Sequence, residues 1–141
     1  VMYDRLHTRN IEDYGGIVTK MPRFSVLMVF FALSNAALPG TSGFVGELTI
    51  ILASFKSNIY IALLSALTLI IGAAYTLWMI KRVIFGAVTN EKINSQSDMK
   101  LIEAIPLSLI ALLILLIGVW PKPLSDTMNS TIIALSYLVS R

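Results

Sequence analysis

The chain has no cysteine and a single histidine, His7, among its 141 residues. Without thiolates it can hold no disulfide, iron–sulfur cluster or zinc finger, and one imidazole cannot build a metal centre alone. Charge is also scarce. Only 13% of residues are Asp, Glu, Lys or Arg, against about 25% in soluble domains. The net charge of +3 comes from basic residues gathered between apolar runs, with no aromatic-interleaved basic patch, which argues against nucleic acid. No basic segment leading into a short apolar core opens the chain, so it carries no signal-peptide pattern. Its start at Val1 reads as the middle of a loop, and the chain is expected to be the C-terminal piece of a larger polytopic protein. What is abundant is apolar: 56% hydrophobic residues and a mean hydropathy of +0.78. These values exclude a soluble enzyme and indicate an all-α bundle of transmembrane helices.

Residues 1–23 form a polar loop with Gly15-Gly16 as a turn signal. Phe24 to Phe55 is an apolar stretch interrupted by Pro39, Gly40, Thr41, Ser42 and Gly43. As one straight helix it would be about 48 Å long, against a hydrocarbon core of about 30 Å. As two crossings, each arm would fall short of the roughly 20 residues required. One crossing built from two half-helices, about Phe24 to Leu38 and Phe44 to Phe55, satisfies both limits. Residues 59–80 and 101–120 read as two further spans, separated by a polar loop at 81–100. The tail at 121–141 has apolar residues at Leu124, Met128, Ile132, Leu135 and Val139, the spacing of an amphipathic helix lying at the membrane surface. Arg5, Arg9, Lys20, Arg23, Lys81, Arg82, Lys92 and Lys100 fall on one side of this arrangement. The positive-inside rule therefore puts the long loops in the cytoplasm or matrix and the C-terminus outside.

Glu47 is the one ionisable side chain within the interrupted stretch. A carboxylate at that depth costs roughly 2.5–3.5 kcal/mol on insertion scales. Interrupted helices are a common construction for ion sites in transporters. Low dielectric favours the neutral carboxyl and so moves proton exchange toward neutral pH. A break leaves backbone groups that only protein or water can satisfy. These features suit a proton-binding station, and pairing with a cation on another helix is the alternative. Pro39, Gly40, Gly43 and Gly46 are assigned to the break and its close packing. Thr41 and Ser42 either cap the second half-helix, hold water or satisfy backbone groups. Ser34, Asn35 and Tyr75 are candidates for a hydrated path, with ordinary interhelical hydrogen bonds as the alternative.

The run Leu38-Pro39-Gly40-Thr41-Ser42-Gly43-Phe44-Val45-Gly46-Glu47 resembles the antiporter-like membrane subunits of respiratory complex I, the NADH:quinone oxidoreductase. Two flanking patterns agree. One is His7-Thr8-Arg9 with Gly15-Gly16. The other runs from Tyr75 through Leu77, Met79 and Arg82 to Phe85-Gly86. Glutamate at position 47, where sister subunits L and N carry lysine, is similar to the subunit M (chain 4) branch. The resemblance implies the last three helices of a fourteen-helix subunit, with the broken helix as the twelfth. It implies that Glu47 receives a proton along a central relay and releases it outward. NADH, flavin, iron–sulfur clusters and quinone would belong to other subunits, leaving this chain without a cofactor. The implied neighbours are the L and N subunits and the lipid bilayer, in a bacterial inner membrane or the mitochondrial inner membrane. His7 and Arg9 belong to the shared loop motif. Readings that remain open are a cation/proton antiporter or membrane hydrogenase subunit of the same superfamily, and a structural membrane scaffold.

Overall fold

A computed structural model describes residues 1–88, 93 and 97–129. The described residues are helical or irregular, with no strand among them. A short helix α1 (Met2–Leu6) and two 3-10 turns (Ile11–Asp13 and Ile17–Thr19) make up the N-terminal loop. The chain bends by 116° where these turns meet α2 (Pro22–Asn35). Then come α3 (Ser42–Ser57), α4 (Ile59–Val83) and α5 (Leu101–Val119). Residues 122–129 are helical. The rest of the expected amphipathic tail, and 89–92 and 94–96 of the second polar loop, lie outside the described residues.

Among the described residues, two helices are long and apolar enough to cross a membrane, α4 with 25 residues and α5 with 19. At 1.5 Å per residue they measure about 37 and 28 Å. By the same rule α2 and α3 reach only about 21 and 24 Å, each short of the hydrocarbon thickness of about 30 Å. The two half-helices follow one another along α4. The Ile61–Thr68 part of α4 faces Ile51 and Glu47 of α3, and farther along α4 Thr76 bonds to Asn35 at the end of α2. Each half-helix packs on both α4 and α5, while the two touch one another only sparingly. Joining α3 to α4 takes a single extended residue, Asn58, whose Oδ1 accepts the Tyr60 amide at 2.8 Å and caps α4.

The buried core sits at the loop end of the bundle. Ile17, Met21, Phe24, Ala32, Ile80, Ile84 and Met99 form one cluster drawn from the N-terminal loop, α2, the end of α4 and the approach to α5. Elsewhere the helices turn large apolar side chains outward, as a lipid- or protein-facing surface requires; Ile102 is 84% exposed and Val119 75%.

Candidate functional site

The break is built from backbone chemistry. At the end of α2 the Leu38 amide donates to the Leu33 carbonyl at 3.0 Å, and the Ala37 amide to that of Ser34 at 3.2 Å. This pair of bonds is a Schellman motif, whose turning residue adopts the left-handed conformation. That residue is Ala37, with φ 57°, rather than the usual glycine. Gly40 follows with φ 92°, a conformation that a side chain would strain. Thr41 occupies the N-cap position of α3, but its hydroxyl donates back to the Leu38 carbonyl at 2.7 Å. It satisfies the break rather than the helix that follows. Ser42 is the first residue of α3, and Pro39 is exposed at the apex.

Two glycines let other backbone approach. A Cβ on Gly43 would collide with the Ser34 carbonyl, so the start of α3 abuts the last turn of α2. A Cβ on Gly118, in the last turn of α5, would collide with Gly40 and Thr41. At Gly46 a Cβ would meet nothing within 4 Å, so the close packing expected there is not supplied by the described residues of this chain.

Glu47 projects from the second turn of α3 into a groove of about 270 Å³ shared with α4. Ile50, Ile51, Ile61 and Leu64 form its apolar walls, and Ser65 and Thr68 are the hydroxyls facing it. Those hydroxyls donate to carbonyls of their own helix, Ser65 to Ile61 at 2.9 Å and Thr68 to Ser65 at 2.7 Å. Their oxygen lone pairs stay free to accept from water or a protonated carboxyl. Glu47 is half-buried, and it forms no hydrogen bond or ion pair with the described residues. No described group of His, Cys, Asp and Glu side chains is arranged to hold a metal ion.

Of the other sequence candidates, Ser34 is buried at the end of α2, and Asn35 donates through Nδ2 to Thr76 Oγ1 at 3.3 Å. Tyr75 is 59% exposed on a different face of α4. Neighbours on a helix are turned by about 100°, so Thr76, buried beneath α2, occupies the inward position instead. His7 and Arg9 stand apart from the break. His7 ends α1 with φ 52° and meets Tyr3 edge-on, while the Arg9 guanidinium lies 5.0 Å over the same ring. The two flanking patterns that carried the resemblance come together in space. Gly16, with φ 65°, lets the loop approach Gly86 and Val88 more closely than a Cβ would allow.

Sequence reasoning missed Gly118, Thr76 and Asp98. Asp98 accepts the amides of Arg23 at 3.0 Å and Phe24 at 3.3 Å, capping α2 from the far side of the chain, and also the amide of Met99 at 2.7 Å. Burial works to raise its pKa. The three amide bonds and the Arg23 charge outweigh burial and hold it below the usual carboxylate value. Beside it, Arg5 pairs with Glu103 at 2.7 Å and donates to the Ser97 carbonyl, tying the N-terminal loop to the start of α5. A polar residue just before an apolar helix was the only available signal for Asp98, and it points to a cap on α5, not on α2.

The family model described as "NADH:quinone oxidoreductase/Mrp antiporter, TM" matches residues 1–72. NADH-quinone oxidoreductase subunit M of Rhodobacter capsulatus is 40% identical over 132 residues, covering 94% of this chain and 26% of the relative. NADH-ubiquinone oxidoreductase chain 4 of Arabidopsis thaliana is 39% identical, covering 94% and 27%. Among solved structures, respiratory complex I from Thermus thermophilus with bound NADH contains a similar chain. It superposes with a TM-score of 0.75 at 29% identity, covering 86% of this chain and 25% of that one. The chain thus spans about a quarter of the length of the relatives it matches.

Proposed function

This chain belongs to the NADH:quinone oxidoreductase/Mrp antiporter transmembrane family, and from that premise we propose that it is the C-terminal part of a proton-translocating subunit of the subunit M or chain 4 type. Glu47 is the proton-binding group. It takes a proton from the upstream part of the same subunit and releases it outward, while electrons pass from NADH to quinone in other subunits. Those subunits hold the flavin and iron–sulfur clusters, and this chain carries out no redox step. The long loops face the cytoplasm or matrix, in a bacterial or mitochondrial inner membrane. The neighbouring membrane subunits are the antiporter-like L and N subunits.

One observation carries the reading. A half-buried carboxyl without a partner among the described residues stands in an apolar groove, flanked by two hydroxyls, just beyond a break in the helix that bears it. A structural ion pair would place a cation against Glu47, and the described residues supply none. An isolated carboxyl between accepting hydroxyls suits a group that alternates between protonated and ionised states. Relatives named subunit M and chain 4, at 39–40% identity, support the redox-driven pump within the superfamily.

The test is NADH-driven proton pumping in sealed vesicles holding the full assembled complex with Glu47→Gln and Glu47→Asp. Loss of pumping in the Gln variant with partial recovery in the Asp variant is expected. Normal pumping in both would return Glu47 to a structural role.

A further inference from the structure

We propose that Asp98 and Gly118 are positioning residues that fix the height of the break, and with it Glu47, by tying the start of the first half-helix and the break itself to the two ends of α5. The inference rests on the proton-carrier reading of Glu47.

The geometry at each end differs in kind. At the start of α2, Met21 in the N-cap position offers no side-chain acceptor, and Pro22 has no amide. The first two free amides, those of Arg23 and Phe24, go to the Asp98 carboxylate, three residues before α5 begins. At the other end, Gly118 brings the backbone of the last turn of α5 directly against Gly40 and Thr41. Nothing flexible lies between these surfaces, because both are main chain. The intervening length of α5 is a regular helix with a rise of about 1.5 Å per residue. It therefore acts as a ruler that sets how far the break lies from the loop end of the bundle. Thr41 is the N-cap of α3. A displacement of Thr41 passes along α3 as a rigid rod and carries Glu47 with it.

Neither contact touches Glu47, so both act through backbone. A misplacement of about 1 Å can cost on the order of 10²-fold in rate where a reacting group must be aligned. A Cβ at position 118 forces a shift of that order. Losing the cap weakens the first turn of α2 by about fivefold in its equilibrium, the equivalent of a typical N-cap.

The experiment uses the full assembled complex in sealed vesicles, with pumping expressed per assembled complex and followed across pH. Gly118→Ala should lower pumping by roughly 10- to 100-fold and shift the pH profile, because Glu47 sits in altered surroundings. Asp98→Ala should speed hydrogen exchange of the 22–28 segment by about fivefold and lower pumping. Asp98→Asn keeps an acceptor for only one of the two α2 amides, which bond to different carboxylate oxygens, and turns an NH2 donor toward the other, so it should recover only part of the pumping. Asp98→Ala adds no atom that the surroundings must accommodate, so it reads the proposal even where Gly118→Ala blocks assembly. Wild-type pumping per complex and an unchanged pH profile in Asp98→Ala would overturn the proposal. So would a lower yield of complex with unchanged pumping in what assembles. Glu47→Gln run in parallel separates the two ideas. If it alone abolishes pumping, the positioning inference fails and the proton-carrier reading stands. If it pumps normally, the carrier reading fails first.

Discussion

Replacing Gly43 with alanine tests how closely the two half-helices are fitted. The new methyl would stand against the carbonyl oxygen of Ser34, where ordinary van der Waals contact begins at 3.4 Å. The structure leaves about 1 Å too little room, well up the repulsive wall of the contact. The carbonyl cannot turn aside, because it accepts the Ala37 amide in the bond that closes α2. The strain therefore falls on the start of α3, which must recede by about 1 Å or tilt. Overpacking of this kind costs about 1–3 kcal/mol. At about 1.4 kcal/mol per tenfold, the correctly docked arrangement loses roughly one to two orders of magnitude against the receded one. Glu47 lies in the next turn and moves with it. The expected outcome is an assembled complex whose NADH-driven pumping is severely reduced while electron transfer to an uncoupled acceptor continues. The break segment should also exchange hydrogen faster. An alanine variant with wild-type pumping and wild-type exchange across residues 36–46 would refute the argument that backbone contact at this point sets the geometry.

The opposite change at the neighbouring position should help. Ala37 holds the left-handed conformation where glycine is usual, so Ala37→Gly should raise resistance to thermal inactivation of the assembled complex by about 0.5–1 kcal/mol; a loss instead would mean that the Ala37 methyl packs more usefully than its backbone is strained. The Asp98 cap has a defined pH signature. Its pKa is depressed in the fold, so its stabilisation is fully present above the ordinary carboxylate range and is lost as pH falls through the folded value. Hydrogen exchange in the first turn of α2, corrected for intrinsic pH dependence, should be flat from neutral pH to about 5 and rise steeply in more acidic solution, below the usual value near 3.9. In Asp98→Asn that acid-dependent rise should disappear.

Much of this arrangement is legible in the amino-acid order, for reasons that also mark where legibility stops. Pro39 to Gly43 stands out because small and polar residues interrupt an apolar run too long for one helix and too short for two. Glu47 stands out because charge is otherwise absent there. The ends of the helices are less readable. The first half-helix stops at Asn35, not Leu38, because the Schellman turn uses Ala36-Ala37, residues whose apolar character looks helical. Helix α4 runs on to Val83, past Lys81 and Arg82, since long basic side chains are good helix formers and carry their charge away from the axis. The Arg82 guanidinium settles 4.2 Å over the Trp78 ring one turn back. Gly118 and Asp98 were unreadable for a different reason. Their roles depend on partners more than seventy residues away, and no local pattern encodes such a meeting. The inward position of Thr76 is not legible either, because the face of a uniformly apolar helix cannot be told from its periodicity.

The cap on α2 also orders events at the ribosome. The α3–α4 hairpin is joined by one residue and can close as soon as α4 has entered the bilayer. The Phe24 amide, in contrast, waits for a carboxylate 74 residues downstream. At about 5–20 residues per second that interval is about 4–15 s, during which the first turn of α2 has only water or the insertion machinery to bond with. The final stitch of the broken helix is thus made by a loop synthesised only after both halves and the whole of α4.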